Sequence, residues 1–110
     1  MFTRLLANCA VSDAARAEDW YTLLFAREPD TRPMGSLLEW HLTDTFGVQT
    51  WVDPGRAGHS TIVVAVTELD TTASRLAEAG IEHDGPRPGG GSRILQVADP
   101  DGNSVVFTEA

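Results

Sequence analysis

A single cysteine, Cys9, excludes an intrachain disulfide and any metal site built on cysteine pairs. It lies in the apolar run from Leu5 to Val11, where burial raises a thiol pKa, so it reads as a packing residue and not as a nucleophile. Basic residues are scarce, with 8 Lys and Arg against 16 Asp and Glu and a formal net charge of −8. That balance repels phosphate backbones and argues against nucleic acid as a partner. Basic segments suited to an anionic membrane are also missing. No apolar run is long enough for a transmembrane helix, and the N-terminal run carries no cleavage signature. A cytoplasmic location is the expectation that follows by default.

What is present suits one α+β domain spanning residues 1–110, with an ordinary apolar content of 42%. Alternation predicts a strand over Thr3 to Val11, with Leu5, Ala7, Cys9 and Val11 on one face and Leu6, Asn8 and Ala10 on the other. Ser12-Asp13 is an N-cap signal for a helix whose stripe is Ala14, Ala17, Tyr21 and Leu24. Its end carries Phe25 and no glycine, which predicts a helix without a left-handed cap. Arg27 to Met34, with Pro29 and Pro33, reads as a polar edge segment. Ser36 to Leu42 and Val48 to Val52 follow as strands, joined by a turn over Asp44 to Gly47. Residues 54–58 are a linker by composition. The pattern then restarts with a strand over His59 to Val66. Thr67 to Asp70 matches a capping box, and Gly80 suits the left-handed position after a second helix. Gly89-Gly90-Gly91 reads as a plain turn and His83 as a surface residue. A closing hairpin, Arg93 to Val97 and Ser104 to Thr108, turns through Asp99-Pro100-Asp101-Gly102-Asn103.

The restart is a repeat. Val11 and Val66, Arg32-Pro33 and Arg87-Pro88, Gly35 and Gly90, Asp44 and Asp99, and Gly47 and Gly102 all share one offset of 55 residues. Two modules, 1–53 and 59–110, therefore each read β-α-β-β-β, and neither buries a sheet face alone. They predict a curved, mostly antiparallel sheet with a concave trough.

A tandem β-α-β-β-β repeat ending in Asp99 to Asn103 plus an apolar strand resembles the vicinal oxygen chelate superfamily, which holds glyoxalase I, bleomycin-resistance proteins and extradiol dioxygenases. Val11-Ser12-Asp13 leading to Trp20-Tyr21, and Val66 to Leu69 leading to Leu76 to Gly80, carry the same likeness. In metal-using members the resemblance implies ligands at the first and last strands of each module, which fall on Leu6, Trp51, Thr61 and Val106. Leu, Trp and Val offer no lone pair to a divalent cation, and neutral Thr is a poor ligand on its own. No metal and no cofactor are expected.

Strand alternation leaves Asn8, Glu39, His41, Gln49, Trp51, His59, Thr61, Gln96 and Ser104 on the concave face as candidate ligand-binding residues. Trp51 either lines a ligand site or fills the trough against a partner chain. Glu39 and His41 are either a base and its orienter or an exposed pair. His59 reads first as a solvated histidine; with Glu39 and His41 it would supply the two-His-one-carboxylate set of an iron site. The leading expectation is a bleomycin-resistance-like, glyoxalase-like protein that binds a small, partly apolar or aromatic ligand, with a sequestration or resistance role. The alternatives are a metal-independent lyase or isomerase using His41 or Glu39 as general base, and a regulatory or structural dimer subunit. The resemblance also implies a homodimer.

Overall fold

The computed structural model describes residues 1–110. In chain order the elements are β1 (Leu5–Val11), α1 (Ala14–Phe25), β2 (Thr31–Met34), β3 (Leu37–His41), β4 (Phe46–Val52), β5 (Thr61–Val66), α2 (Leu69–Glu78), β6 (Arg87–Gly89), β7 (Ser92–Ala98) and β8 (Ser104–Glu109). Two four-stranded sheets result, ordered β1-β4-β3-β2 and β5-β8-β7-β6. In each, the first and last strands of the module pair parallel and the remaining pairs are antiparallel. This is the expected α+β architecture.

Each helix lies on the convex face of its own sheet, because its apolar stripe has the 3.6-residue period and the strands offer their apolar residues with period 2. Ala17, Tyr21 and Leu24 are buried from α1, and Leu69, Ala73 and Leu76 from α2. Against them pack Leu38, Trp40 and Val48 in the first module, and Leu95, Val97, Val105 and Phe107 in the second. One cluster of 17 buried residues draws on both modules, so they share a core.

The helix ends correct two expectations. Asp13 caps α1 through its Oδ1, which accepts the Arg16 N–H at 2.9 Å. The far end does take a left-handed cap, at Ala26 with φ 56°, whose N–H bonds to Thr22 O. It is the one non-glycine residue of positive φ, and Cβ makes that conformation costly. Ala26→Gly is therefore expected to stabilise the fold by about 0.5–1 kcal/mol. A higher denaturant midpoint at unchanged slope would register it. The capping box at α2 does not form: the N-cap is Glu68 without a side-chain bond, and the Asp70 carboxylate goes to Arg93 instead. The other end is as the sequence implies. Gly80 has φ 85°, and Ile81 N–H reaches Leu76 O at 2.9 Å while Gly80 N–H reaches Ala77 O at 3.0 Å, a Schellman pair.

The repeat is less regular than its constant offset suggests. β7 has 7 residues where β3 has 5, so the β6–β7 hairpin is longer at its tip. Beyond it, the pairing moves out of step with the sequence offset. Leu6 pairs with Gly47, and its counterpart Thr61 pairs with Ser104, not Gly102. Gly47 sits inside β4, which starts at Phe46, whereas Gly102 is a turn residue with φ 97°. Asp44 and Asp99 are likewise not equivalent. Register follows cross-strand pairing, and a two-residue extension preserves which face each residue takes while displacing every equivalence after it.

The modules meet at the inner edges of β1 and β5. No continuous ladder closes this seam; side chains do. Ser60 Oγ accepts the Ala10 N–H at 3.3 Å. Buried Asn103 donates to Ala10 O at 2.7 Å and accepts the Ser60 N–H at 2.8 Å. Asp99, also buried, accepts the Tyr21 hydroxyl at 2.8 Å, the Asn103 amide at 2.7 Å and two backbone N–H groups. Asp101 bonds to Ser12 and Arg16 at the head of α1. Burial works to raise its carboxyl pKa, but the Ser12 bonds and the Arg16 charge outweigh that and hold it below the usual range. At the opposite end of α1, Arg75 of α2 donates to Leu23 O and Leu24 O at 3.1 and 2.7 Å. Turn residues 99–103 are thus the joint between modules, and not only a hairpin bend.

The Cys9 thiol is buried beneath this seam; burial, then Tyr21 and Asp99, determine its shift, and the net effect is upward. A packing role fits that environment. No helix is long and apolar enough to cross a membrane.

Candidate functional site

Because Leu38, Trp40 and Val48 turn toward α1, the alternate residues of β3 and β4 face the opposite way. Glu39 stands opposite Gln49, and Gln49 opposite Asn8. This geometry builds one row of polar side chains across three strands. Asn8 donates to Gln49 Oε1 at 2.8 Å, and Gln49 donates to Glu39 Oε2 at 3.0 Å. The other Glu39 oxygen meets Thr31 Oγ1 and His41 Nε2, each at 3.1 Å. The row is self-satisfied, as expected where polar groups are drawn partly out of water. Glu39 and His41 side chains are 15% and 20% exposed. The His41 bond, then Thr31 and Gln49, hold the Glu39 carboxyl below its ordinary range against a burial effect of the opposite sign. Glu39 is therefore a poor proton donor near neutrality.

Trp51 lies beside this row, half-buried, with Leu37 opposite it on β3 and Ala10 on β1. In the second module Val63 pairs with Val106, and Val106 with Gln96. Val63 is 64% exposed, an apolar side chain open on the concave face. Gln96 donates to Ser104 Oγ and accepts from Arg87, both at 2.9 Å. A groove of about 940 Å³ borders this group at the end of α2, lined by Gly80, Ile81 and His83 as well as Arg87, Gln96 and Ser104, and does not reach Trp51 or Glu39.

The candidates thus separate into two groups. Asn8, Glu39, His41 and Gln49 form one connected row flanked by Trp51, and Gln96 and Ser104 form another in the second module. Thr61 faces the trough at the start of β5. His59 falls outside β5, is exposed, and does not join Glu39 and His41. No three His, Cys, Asp or Glu residues stand together as a metal-holding group, so the iron set is not assembled. The register shift also revises the family's ligand positions: Gln49, not Trp51, is the counterpart of Val106. The four positions become Leu6, Gln49, Thr61 and Val106. Leu6 and Val106 have no donor atom, and both ends of the Gln49 amide are already bonded. This set does not fit a divalent cation.

Three trough residues escape a reading by polarity alone. Leu37 and Val63 share the parity of Glu39 and Thr61, but each lies in an apolar run that hides its face. Arg87 is placed by its bond to Gln96, a contact between strands. His83 is half-buried, not a free surface group: its Nε2 lies 2.8 Å from Ala73 O and its Nδ1 accepts the Gly85 N–H at 3.0 Å.

The fold matches solved structures over nearly its whole length. A glyoxalase/bleomycin resistance protein from Catenulispora acidiphila DSM 44928 is 30% identical, with TM-score 0.90 and 98% of each chain covered. An antibiotic-binding protein from Streptomyces sp. CB03234 is 23% identical, with TM-score 0.79, covering 99% of this chain and 96% of that one. A bleomycin-binding protein complexed with bleomycin is 14% identical, with TM-score 0.80, covering 97% and 96%. Comparison with curated proteins finds no match. Residues 17–107 match the sequence model of the family. With that match and that architecture, the chain belongs to the Glyoxalase/Bleomycin resistance protein/Dioxygenase superfamily.

Proposed function

We propose that this chain binds a small, partly apolar or aromatic molecule in its trough, without a metal, in a sequestration or resistance role. The observation that carries the reading is the half-buried Trp51 indole set beside the Asn8–Gln49–Glu39–His41 row. A flat apolar wall beside a few oriented polar groups is the usual construction of a small-molecule site. The antibiotic-binding and bleomycin-binding proteins of the same fold support it. The revised position set, poor in metal donors, supports the metal-free part. A homodimer, closing the trough with a second chain, and a cytoplasmic location belong to the same proposal.

The Glu39–His41 contact at 3.1 Å favours one second reading, a metal-independent lyase or isomerase with His41 as base and Glu39 as its orienter. Activity that survives chelators and disappears in His41→Ala would select it. For the binding reading, the indole N–H signals of Trp20, Trp40 and Trp51 are followed by NMR while bleomycin or 2-naphthylmethanol is added. The signal missing in Trp51→Phe should move, and the Trp40 signal should not. A response from Trp40 with none from Trp51 would invert the strand faces and remove the site. Native mass spectrometry of untagged protein reads the metal and the dimer in one measurement: no bound Zn, Fe, Mn or Ni, and a mass of two chains.

A further inference from the structure

Glu39 has no permanently cationic partner; its one ionisable neighbour is His41, which is charged only when protonated. All 8 basic residues of the sequence are arginines. Arg16, Arg27, Arg32 and Arg93 pair with Asp101, Asp30, Glu18, and Asp70 with Glu109. Arg75 is spent on helix carbonyls and Arg87 on Gln96, and Arg56 is exposed in the 54–58 linker without a salt bridge. Arg4 reaches the His41 ring at 3.5 Å but not the carboxylate. Thr31 and Gln49 donate neutral hydrogen bonds to Glu39, and His41 does the same whenever its ring is unprotonated, so none of them then cancels the charge. By strand parity, Glu39 is also the sole carboxylate that β1, β3, β4, β5, β7 and β8 place on the concave face. A carboxylate 85% withdrawn from water, satisfied in hydrogen bonds but not in charge, creates a local negative potential beside an apolar wall.

We infer that the trough selects a cationic aromatic ligand, one whose protonated amine or amidine approaches Glu39 while its flat body lies against Trp51 and Leu37. This rests on the binding reading above and adds the sign of the ligand's charge. The net charge of −8 acts in the same direction at long range, steering cations toward the face. The short-range selection resides in one side chain and can be removed on its own.

The test uses three probes of one shape: 2-naphthylmethylamine, 2-naphthylmethanol and 2-naphthoate. They are titrated into the intact protein at pH 8, where imidazole is neutral and the amine is still protonated. The amine should bind at least about tenfold more tightly than the alcohol, and the carboxylate most weakly. Glu39→Gln keeps the size and the acceptor oxygen for His41 and Thr31, and should bring the amine to the level of the alcohol. Asp19→Asn removes one exposed carboxylate on α1, outside the trough, and should keep the preference. If Glu39→Gln does not fold, wild-type titrations at low and high salt decide. The amine's advantage over the alcohol should shrink with salt at this partly exposed site. Equal affinities for amine and alcohol in wild type, or a preference intact in Glu39→Gln, would overturn the charge selection and leave the binding reading standing. Failure of all three probes to bind would overturn both.

Discussion

Replacing Asn103 by alanine is expected to cost about 3–4 kcal/mol of unfolding free energy, since it deprives two buried groups of their partner. Asn103 is 0% exposed. Its amide nitrogen holds Ala10 O and Asp99 Oδ2, and its amide oxygen holds the Ser60 N–H. Those groups belong to both modules, at a seam with no backbone ladder of its own. Alanine leaves the Ala10 carbonyl and the Ser60 N–H facing a void that no other side chain fills. Asp99 keeps the Tyr21 hydroxyl and two backbone N–H groups, so the turn itself persists. Asn103→Leu separates volume from polarity. It fills the space yet still leaves both groups unpaired, so most of the loss should remain. Tyr21→Phe removes one bond to Asp99 and should cost only about 1–2 kcal/mol, near the range for a bond to a charged group. Chemical denaturation followed by circular dichroism measures all three. A loss under about 1 kcal/mol in Asn103→Ala would mean that the modules are not held together through this residue.

Trp40→Ala is expected to cost about 3–5 kcal/mol, the range for deleting a large buried aromatic. Trp40 is 0% exposed and packs with Tyr21 and Phe25, at ring-centroid distances of 5.8 and 6.0 Å. Its Nε1–H also donates to Arg27 O at 2.9 Å, just past the Ala26 cap, so it fixes the chain where α1 ends. Trp40→Phe retains most of the packing and drops the bond, and about 1–2 kcal/mol is expected for that change. An equal loss in the two variants would assign the effect to the bond and not to the volume. Since Trp40 faces α1 and Trp51 faces the trough, Trp51→Phe should leave stability nearly unchanged while altering the ligand response. That contrast between two tryptophans of one hairpin tests the assignment of faces.

Much of the site could be read from the chain because strand parity is local. Once Trp40 is placed in the core, Glu39 and His41 must point away from it, and the same rule places Gln49 and Trp51 together on β4. Parity does not report which strands are neighbours. Nothing local says that Asn8, Gln49 and Glu39 lie side by side, or that His59 stands apart from Glu39 and His41. Those facts depend on the β1-β4-β3 order and its register, set by contacts between residues far apart in sequence.

The sequence by itself determined the order of elements, the Asp13 cap, the Schellman end at Gly80, the division of strand residues into core and trough, and the family. Each rests on periodicity or on short-range backbone chemistry. The tertiary structure decided the rest. It placed Gln49 opposite Val106 in the repeat, because a longer β6–β7 hairpin displaces the pairing. It forced Ala26 into the left-handed region that the missing glycine argued against, since α1 must end where Trp40 anchors Arg27. It took Asp70 from the helix cap for Arg93. It also converted Asp99 to Asn103 from a turn into the buried joint between modules. Polar groups are buried only where partners arrive from elsewhere in the chain, and here those partners are Ala10, Ser12, Tyr21 and Ser60.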